Sequence, residues 1–166
     1  MAMDPTIRVQ REVFDVADES NRLAEGRRDV GAVVAFTGLC RDENGALEAL
    51  ELEHYPGMAE AETARIAREA AARWPLLGLT VIHRFGRITP GEPIVLVLTA
   101  SAHRSAAFEA ASFLMDYLKT RAPFWKREHR INGTKGEWVA ANASDEAATQ
   151  RWAAESAPPA DSHGRD

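Results

Sequence analysis

The chain has 166 residues, 45% of them apolar, and a net charge of -5, which suits an ordinary globular protein able to bury about 70% of its unfolded surface in one domain. The acidic excess argues against a general nucleic-acid binder, no apolar run reaches the ~18 residues of a membrane span, and the first residues lack the charged-then-apolar order of a signal peptide. Cys40 stands alone, so an internal disulfide is excluded and a reducing, cytoplasmic setting is expected.

Residues 6–13 alternate loosely and predict a first strand. Asp15 is placed to cap a short helix running to about Glu25, with Gly26 as its stop. Residues 30–37 are a continuous apolar run and predict a buried strand. A polar loop with a turn at Asn44-Gly45 follows. Residues 47–55 then alternate cleanly, with Leu50, Leu52 and His54 on one face and Glu51 and Glu53 on the other. Two strands joined by a glycine-containing loop predict an antiparallel hairpin. Residues 58–74, with Ile66, Ala70 and Trp74 four apart, predict a helix stopped by Pro75.

Residues 79–88 alternate again, with Leu79, Val81, His83 and Phe85 on one side. Thr89-Pro90-Gly91-Glu92 has the composition of a tight turn, and 94–100 is an apolar strand. Phe108, Ala111, Met115 and Leu118 set a helix over 105–121. Residues 130–139 predict a hairpin about Asn132-Gly133 and Lys135-Gly136. Ser144 can cap a last helix to about Trp152, and 156–166 reads as a disordered tail behind a single domain of residues 1–155. The order β-α-β-β-α-β-β-α-(β-β)-α predicts an α+β fold, with helices packed on a mainly antiparallel sheet.

Positive charge is concentrated at 118–130, where Lys119, Arg121, Lys126, Arg127 and Arg130 face a single carboxylate, Glu128. Pro123 cannot continue the helix and biases Ala122 toward an extended conformation. Lys119 therefore falls in the last helical turn and Lys126 on a differently directed segment, with Phe124 and Trp125 between them as anchors. Two lysines on two rigid elements can form an anion site; they can equally be the favourable cations of a helix C-terminus followed by a solvated strand. Ser101-Ala102-His103-Arg104-Ser105 lies where an apolar strand hands over to a helix, whose free N–H groups and dipole suit phosphate or carboxylate. The plain alternative is an exposed Arg104 beside a capping His103 or Ser105. Arg41 follows a buried strand into a loop, or is an ordinary surface arginine. No metal-ligand spacing occurs among His54, His83 and His129. Cys40 reads as a buried small residue rather than a nucleophile.

Several stretches together resemble the large, catalytic subunit of molybdopterin synthase. They are Val33-Val34-Ala35-Phe36-Thr37-Gly38 with Arg41 following, Leu52-Glu53-His54-Tyr55-Pro56-Gly57-Met58, Val81-Ile82-His83-Arg84 with Pro90-Gly91-Glu92, Ser101 to Ala110, and Met115 to Glu128, closed by Trp138-Val139. The resemblance spans roughly residues 6–153, and the block from Lys119 to Glu128 is its most specific part. It implies an α/β-hammerhead-like fold with an additional small antiparallel subdomain. It also implies a sulfurtransferase that converts a cyclic pyranopterin monophosphate into molybdopterin by inserting two sulfurs as a dithiolene. The sulfur arrives as a thiocarboxylate on the C-terminal glycine of a small ubiquitin-like subunit. The implied assembly is a homodimer within a heterotetramer, with no cofactor, metal, nucleic acid or membrane.

Carried onto this sequence, the resemblance gives Lys119 and Lys126 the catalytic role and Arg41, His103 and Arg104 the pterin phosphate. Arg127 and Glu128 fall in the substrate-binding block, where Glu128 can orient a lysine. Leu39 and Cys40 line up with a binding segment to which they offer backbone contacts. The competing reading is a non-catalytic module that binds phosphate esters or RNA through the same basic patch, using Phe124 and Trp125 as a stacking pair.

Overall fold

The structure, a computed structural model, describes residues 3–140 and 143–155. Its elements in chain order are β1 (Thr6–Gln10), α1 (Val16–Ala24), β2 (Ala32–Leu39), β3 (Leu47–His54), α2 (Met58–Arg73), β4 (Leu76–Arg84), β5 (Gly86–Ile88), β6 (Pro93–Ser101), α3 (Arg104–Arg121), β7 (Phe124–Arg130) and α4 (Ala143–Glu155). A four-stranded sheet runs β1-β4-β6-β2, and a three-stranded sheet runs β5-β3-β7. Only the β1–β4 pair is parallel; the other pairs are antiparallel. The α+β reading therefore holds, antiparallel pairing included.

The apolar runs of β4 and β6 fall at the centre of the larger sheet, where both faces are covered. Alternation sorts their side chains. Leu79, Val81, Val95 and Val97 face α2 and α3, packing with Ile66, Ala67, Ala70, Ala110, Phe113 and Leu114. Ile82, Leu96 and Leu98 face the other way, against Phe14, Val16 and Leu23 around α1. Asp15 caps α1 as its sequence predicts, its carboxylate accepting from the Asp18 N–H at 3.0 Å. Gly26, with φ +69°, ends that segment.

The last helix is held by aromatic packing. Trp152 is buried and meets Trp74 and Phe113 edge-on at ring separations of 5.5 and 5.6 Å. Its indole N–H donates to Asp116 Oδ2 at 2.6 Å. A smaller cluster of Cys40, Leu47, Leu52 and Ile88 fills the space beneath the three-stranded sheet.

Three sequence expectations are corrected. The hairpin expected between residues 30–37 and 47–55 does not form: β2 pairs with β6, and β3 pairs with β5 and β7. The intervening loop turns through left-handed Glu43, Asn44 and Gly45, with φ of 52°, 60° and 82°, and carries the chain from one sheet to the other. The strand expected over 79–88 is two strands in different sheets. Gly86 supplies the corner with φ +90°, and Arg11 Nη1 would sit 2.7 Å from any Cβ there. The hairpin expected over 130–139 begins earlier. Residues 124–130 are the strand β7, and the returning chain touches it through two isolated bridges, Lys126 with Val139 and His129 with Lys135. The turn at Asn132-Gly133 is present, with the Gly133 N–H donating to Arg130 O at 3.0 Å. The tail expected at 156–166 lies outside the described residues.

Phe113 has no exposed surface and meets the rings of Trp74, Tyr117 and Trp152. Phe113→Ala is expected to lower unfolding stability by about 3–5 kcal/mol, read as a reduced urea midpoint with an unchanged slope.

Candidate active site

The candidate site forms where α3 ends. Ala122 is extended, with φ -69° and ψ 130°, because the following proline excludes the helical region. The chain leaves the helix there and enters β7 at Phe124. β7 lies along β3 with Lys126 opposite Leu52 and Phe124 opposite His54. Residues directly opposite in an antiparallel pair share a face. Lys126 therefore projects from the same face as Leu52, toward the end of α3 that carries Lys119.

Both lysines line one cleft of about 290 Å³. Its walls are Leu39 and Phe36 from β2, Leu50 and Leu52 from β3, His83 from β4, Met115 and Leu118 from α3, and Phe124 and Trp125 from β7. The cleft is thus apolar with two cationic ends. Neither lysine forms an ion pair among the described residues. Both lysines are exposed, so their charges are available to an incoming anion.

Gly38 shapes the near wall. A Cβ there would lie 2.8 Å from Val95 Cγ1, so only glycine lets β2 close on β6 at this point. The register then slips between Gly38 and Leu39. A bulge of this kind re-aims the next side chain, and Leu39, 54% exposed, borders the cleft.

The other candidates lie elsewhere. Cys40 is buried behind the wall, its backbone tied to Glu92 O at 2.9 Å and to the Gly91 N–H at 2.8 Å. Its thiol lies 3.8 Å from the carbonyls of Ile88 and Arg41. Burial pushes that thiol above its usual pKa, the carboxylates of Glu92 and Glu43 adding to the effect. Arg41 points to solvent with its side chain 83% exposed and pairs with Glu43 at 3.3 Å. Arg127 stands on the opposite face of β7 from Lys126, its guanidinium over the Trp138 ring at 4.3 Å. Glu128 pairs with Arg130 at 3.5 Å. The expectation that Glu128 orients a lysine is therefore corrected: its contact is with an arginine two residues along the strand.

His103 and Arg104 are exposed at the first turn of α3. The helix starts at Arg104, one residue earlier than expected, and His103 occupies the cap position without a side-chain capping bond. Fifteen residues at ~1.5 Å rise separate Arg104 from Lys119 by about 22 Å along the axis. One chain therefore does not bring together the two anion sites, which the resemblance assigns to one substrate.

Phe124 and Trp125 are not a free stacking pair. Phe124 lies on the His83 ring, with centroids 3.7 Å apart and planes at 14°. Trp125 meets Tyr55 edge-on at 5.3 Å. The RNA-platform reading thus loses the feature it needs. Among the described residues no group of three or more His, Cys, Asp or Glu side chains is placed to hold a metal, and no helix is long and apolar enough to cross a membrane.

Sequence reading missed His83, Phe36 and Met115 as cleft residues. A signal for His83 was present. It continues the Leu79–Val81 face that packs against α3, and it falls where that helix stops.

Cys40 alkylation by iodoacetamide in the folded protein is expected to be far slower at pH 7 than in urea. The raised pKa keeps the thiol protonated there, so the folded-state rate should still be climbing at pH 9. Mass spectrometry of time points across pH 7–9 reads both.

Known proteins place this geometry in context. A profile of the MoaE protein family matches residues 9–121. A molybdopterin synthase catalytic subunit of Mesorhizobium japonicum is 70% identical over 148 residues, covering 89% of this chain and 93% of that protein. The solved structure of a molybdopterin biosynthesis MoaE protein from Burkholderia ambifaria superposes with a TM-score of 0.78 at 44% identity, covering 90% of this chain and 98% of that one. The X-ray structure of molybdopterin synthase from Staphylococcus aureus gives a TM-score of 0.73 at 29% identity, over 80% and 96% of the two chains. By these matches the chain belongs to the MoaE protein family, that of the molybdopterin synthase catalytic subunits.

Proposed function

We propose that the chain acts as a sulfurtransferase in making molybdopterin, accepting sulfur from the thiocarboxylated tail of a small ubiquitin-like subunit. The observation that carries this reading is the meeting of Lys119 and Lys126 in one apolar cleft, from a helix end and a strand on either side of Pro123. The substrate is a phosphorylated pterin and the donor a thiocarboxylate, so both reactants are anions. The name of the Mesorhizobium relative, a catalytic subunit, fits a chain that works with a second protein.

Each transfer joins the thiocarboxylate sulfur to a carbon of the pterin side chain as that carbon gives up an oxygen substituent, a phosphate-ester oxygen when the cyclic phosphate opens or an oxygen lost as water. Water then cleaves the carrier's carbon–sulfur bond, leaving the carrier a carboxylate and the pterin a thiolate. Lys119 and Lys126 stabilise the negative charge that develops on sulfur and on the acyl oxygen, once the bound tail and pterin have displaced water from the cleft. Lys119 is the first choice as proton donor or acceptor, and Lys126 the second. The sulfur comes from the carrier, so the reaction as read requires no cofactor and no reactive Cys40.

The separation of about 22 Å along α3 gives the phosphate anchor a particular form. His103 and Arg104 serve the lysine cleft of a second copy, and the working unit is a homodimer with shared sites, one small subunit on each side. Arg41, exposed in the loop two residues beyond Leu39, is taken as a further phosphate contact, in its own pocket or that of the second copy. The cytoplasm supplies the reducing setting that a free thiocarboxylate needs.

Reconstitution tests the reading: the protein is mixed with thiocarboxylated small subunit and the cyclic pterin monophosphate, and dithiolene product is measured by mass. Lys119→Ala is expected to remove product while leaving the fold intact, since an exposed helix-end lysine adds little stability. Near-normal turnover would remove Lys119 from the mechanism. Arg104→Ala is expected to weaken pterin binding at least tenfold, the loss of a charge-assisted contact. When Lys119→Ala and Arg104→Ala are mixed and allowed to exchange subunits, at a pterin concentration too low for Arg104→Ala alone to turn over, about a quarter of wild-type activity should return, because a hybrid dimer with shared sites contains one complete site. No recovery would place both residues in sites within one chain.

A further inference from the structure

We propose that Nε2 of His83 is the hydrogen-bond acceptor of the lysine cleft, receiving an N–H of the ligand held by Lys119 and Lys126. The ligand's identity rests on the sulfur-transfer reading; the acceptor itself rests on the geometry of His83.

The imidazole is fixed in three ways. Its Nδ1 lies 2.8 Å from the Arg84 carbonyl, which as a pure acceptor requires the proton to be on Nδ1. That leaves Nε2 as a lone-pair acceptor. The carbonyl is itself steady, because the buried Arg84 side chain donates to Arg11 O at 2.9 Å and to Pro93 O at 2.8 Å. The ring plane is set by the Phe124 stack at 3.7 Å. The ring is half-buried and lines the cleft. Nε2 has no hydrogen-bond partner among the described residues, and it is not among their sealed, unpartnered atoms.

The charged and titratable groups around the ring are Lys119 from α3, Lys126 from β7 and His54 from β3. Burial, with His54 adding to it against the opposing Arg84 carbonyl bond, brings the His83 pKa down to about 4. The ring therefore stays neutral at physiological pH and keeps its lone pair free. The other side chains on the cleft are apolar or donors only, with the Met115 sulfur a weak acceptor. A ligand with an anionic group and an N–H a few ångströms apart is satisfied at both ends here. An anion without such a donor would leave Nε2 unpaired, which costs affinity. Two components of the reaction carry this chemistry: the pterin ring, through its amide-type N–H groups, and the glycine tail of the carrier, through its peptide N–H.

Nitrogen-15 NMR of the histidine-labelled wild-type protein tests the proposal without altering the site. His83→Gln identifies the His83 resonances by their loss. The free protein should show His83 as the neutral Nδ1–H tautomer. Its Nε2 resonance should move upfield when a donor binds. The probes are the cyclic pterin monophosphate alone and the unmodified small subunit alone. A shift with the first assigns the acceptor to the ring N–H, and a shift with the second assigns it to the tail. An Nε2–H tautomer, or no shift with either probe in a preparation that turns over normally, overturns the proposal. Absence of turnover with thiocarboxylated carrier removes the sulfur-transfer reading instead.

Kinetics supply the second readout. His83→Phe keeps a stacking ring and removes the acceptor. It should raise KM for the responding component about tenfold, the effect of one unpaired hydrogen bond, with kcat changed less than about threefold. His83→Gln, which retains an acceptor, should recover part of that loss. Equal damage to KM and kcat in both variants would mark His83 as a packing residue only.

Discussion

The break at Ala122-Pro123 is the constraint on which the rest of the site depends. Proline removes the helical option for the residue before it, and Ala122 accordingly takes a ψ of 130°. That single change of direction hands the chain from the helical layer over the large sheet to a strand of the small one. Lys119 stays with the first body and Lys126 goes to the second, only seven positions apart in sequence. The cleft is the gap between those two bodies, and the lysines mark its two sides.

Rigid support on each side makes this gap a defined place. α3 is seated on β6 and β2 through Ala107, Ala110, Phe113 and Leu114, all without exposed surface. Thr99 donates its hydroxyl to the Ala107 carbonyl at 2.7 Å, tying helix to sheet by a polar contact inside the apolar layer. On the other side β7 is registered residue by residue on β3 from His54 to Ala49, before a register shift at Leu47. Side chains placed on such elements lose little further freedom when an anion arrives, which is the condition for electrostatic preorganisation.

Much of this was legible in the sequence. The helix over 105–121, the break at Pro123 and the alternation of 47–55 follow from periodicity and from the chemistry of proline, and each is present. Strand partnership was less legible. β2 and β3 look like a hairpin because they are adjacent and separated by a turn, yet three successive left-handed residues at 43–45 swing the chain out of one sheet into another. Local sequence reports a turn but not the sheet in which the next strand finds its neighbour. The same limit applies to His103 and Arg104. The resemblance gave them one substrate with the lysines, and only the length of α3 shows that a single chain holds them far apart. His83 was passed over because a histidine without metal spacing looks ordinary; its meaning comes from where the face of β4 ends.

The packing of α4 reaches the cleft through charge. Asp116 lies one turn before Lys119 on α3, the spacing at which a helical carboxylate and lysine ordinarily pair. Its Oδ2 is already taken, by the Trp152 indole at 2.6 Å and by Arg151 at 3.1 Å. The terminal helix thus draws the nearest intrahelical counterion outward, away from the cleft. A segment that contributes no residue to the cleft lining thereby leaves the Lys119 ammonium uncompensated, so that the reactants, rather than the protein, become its counterions.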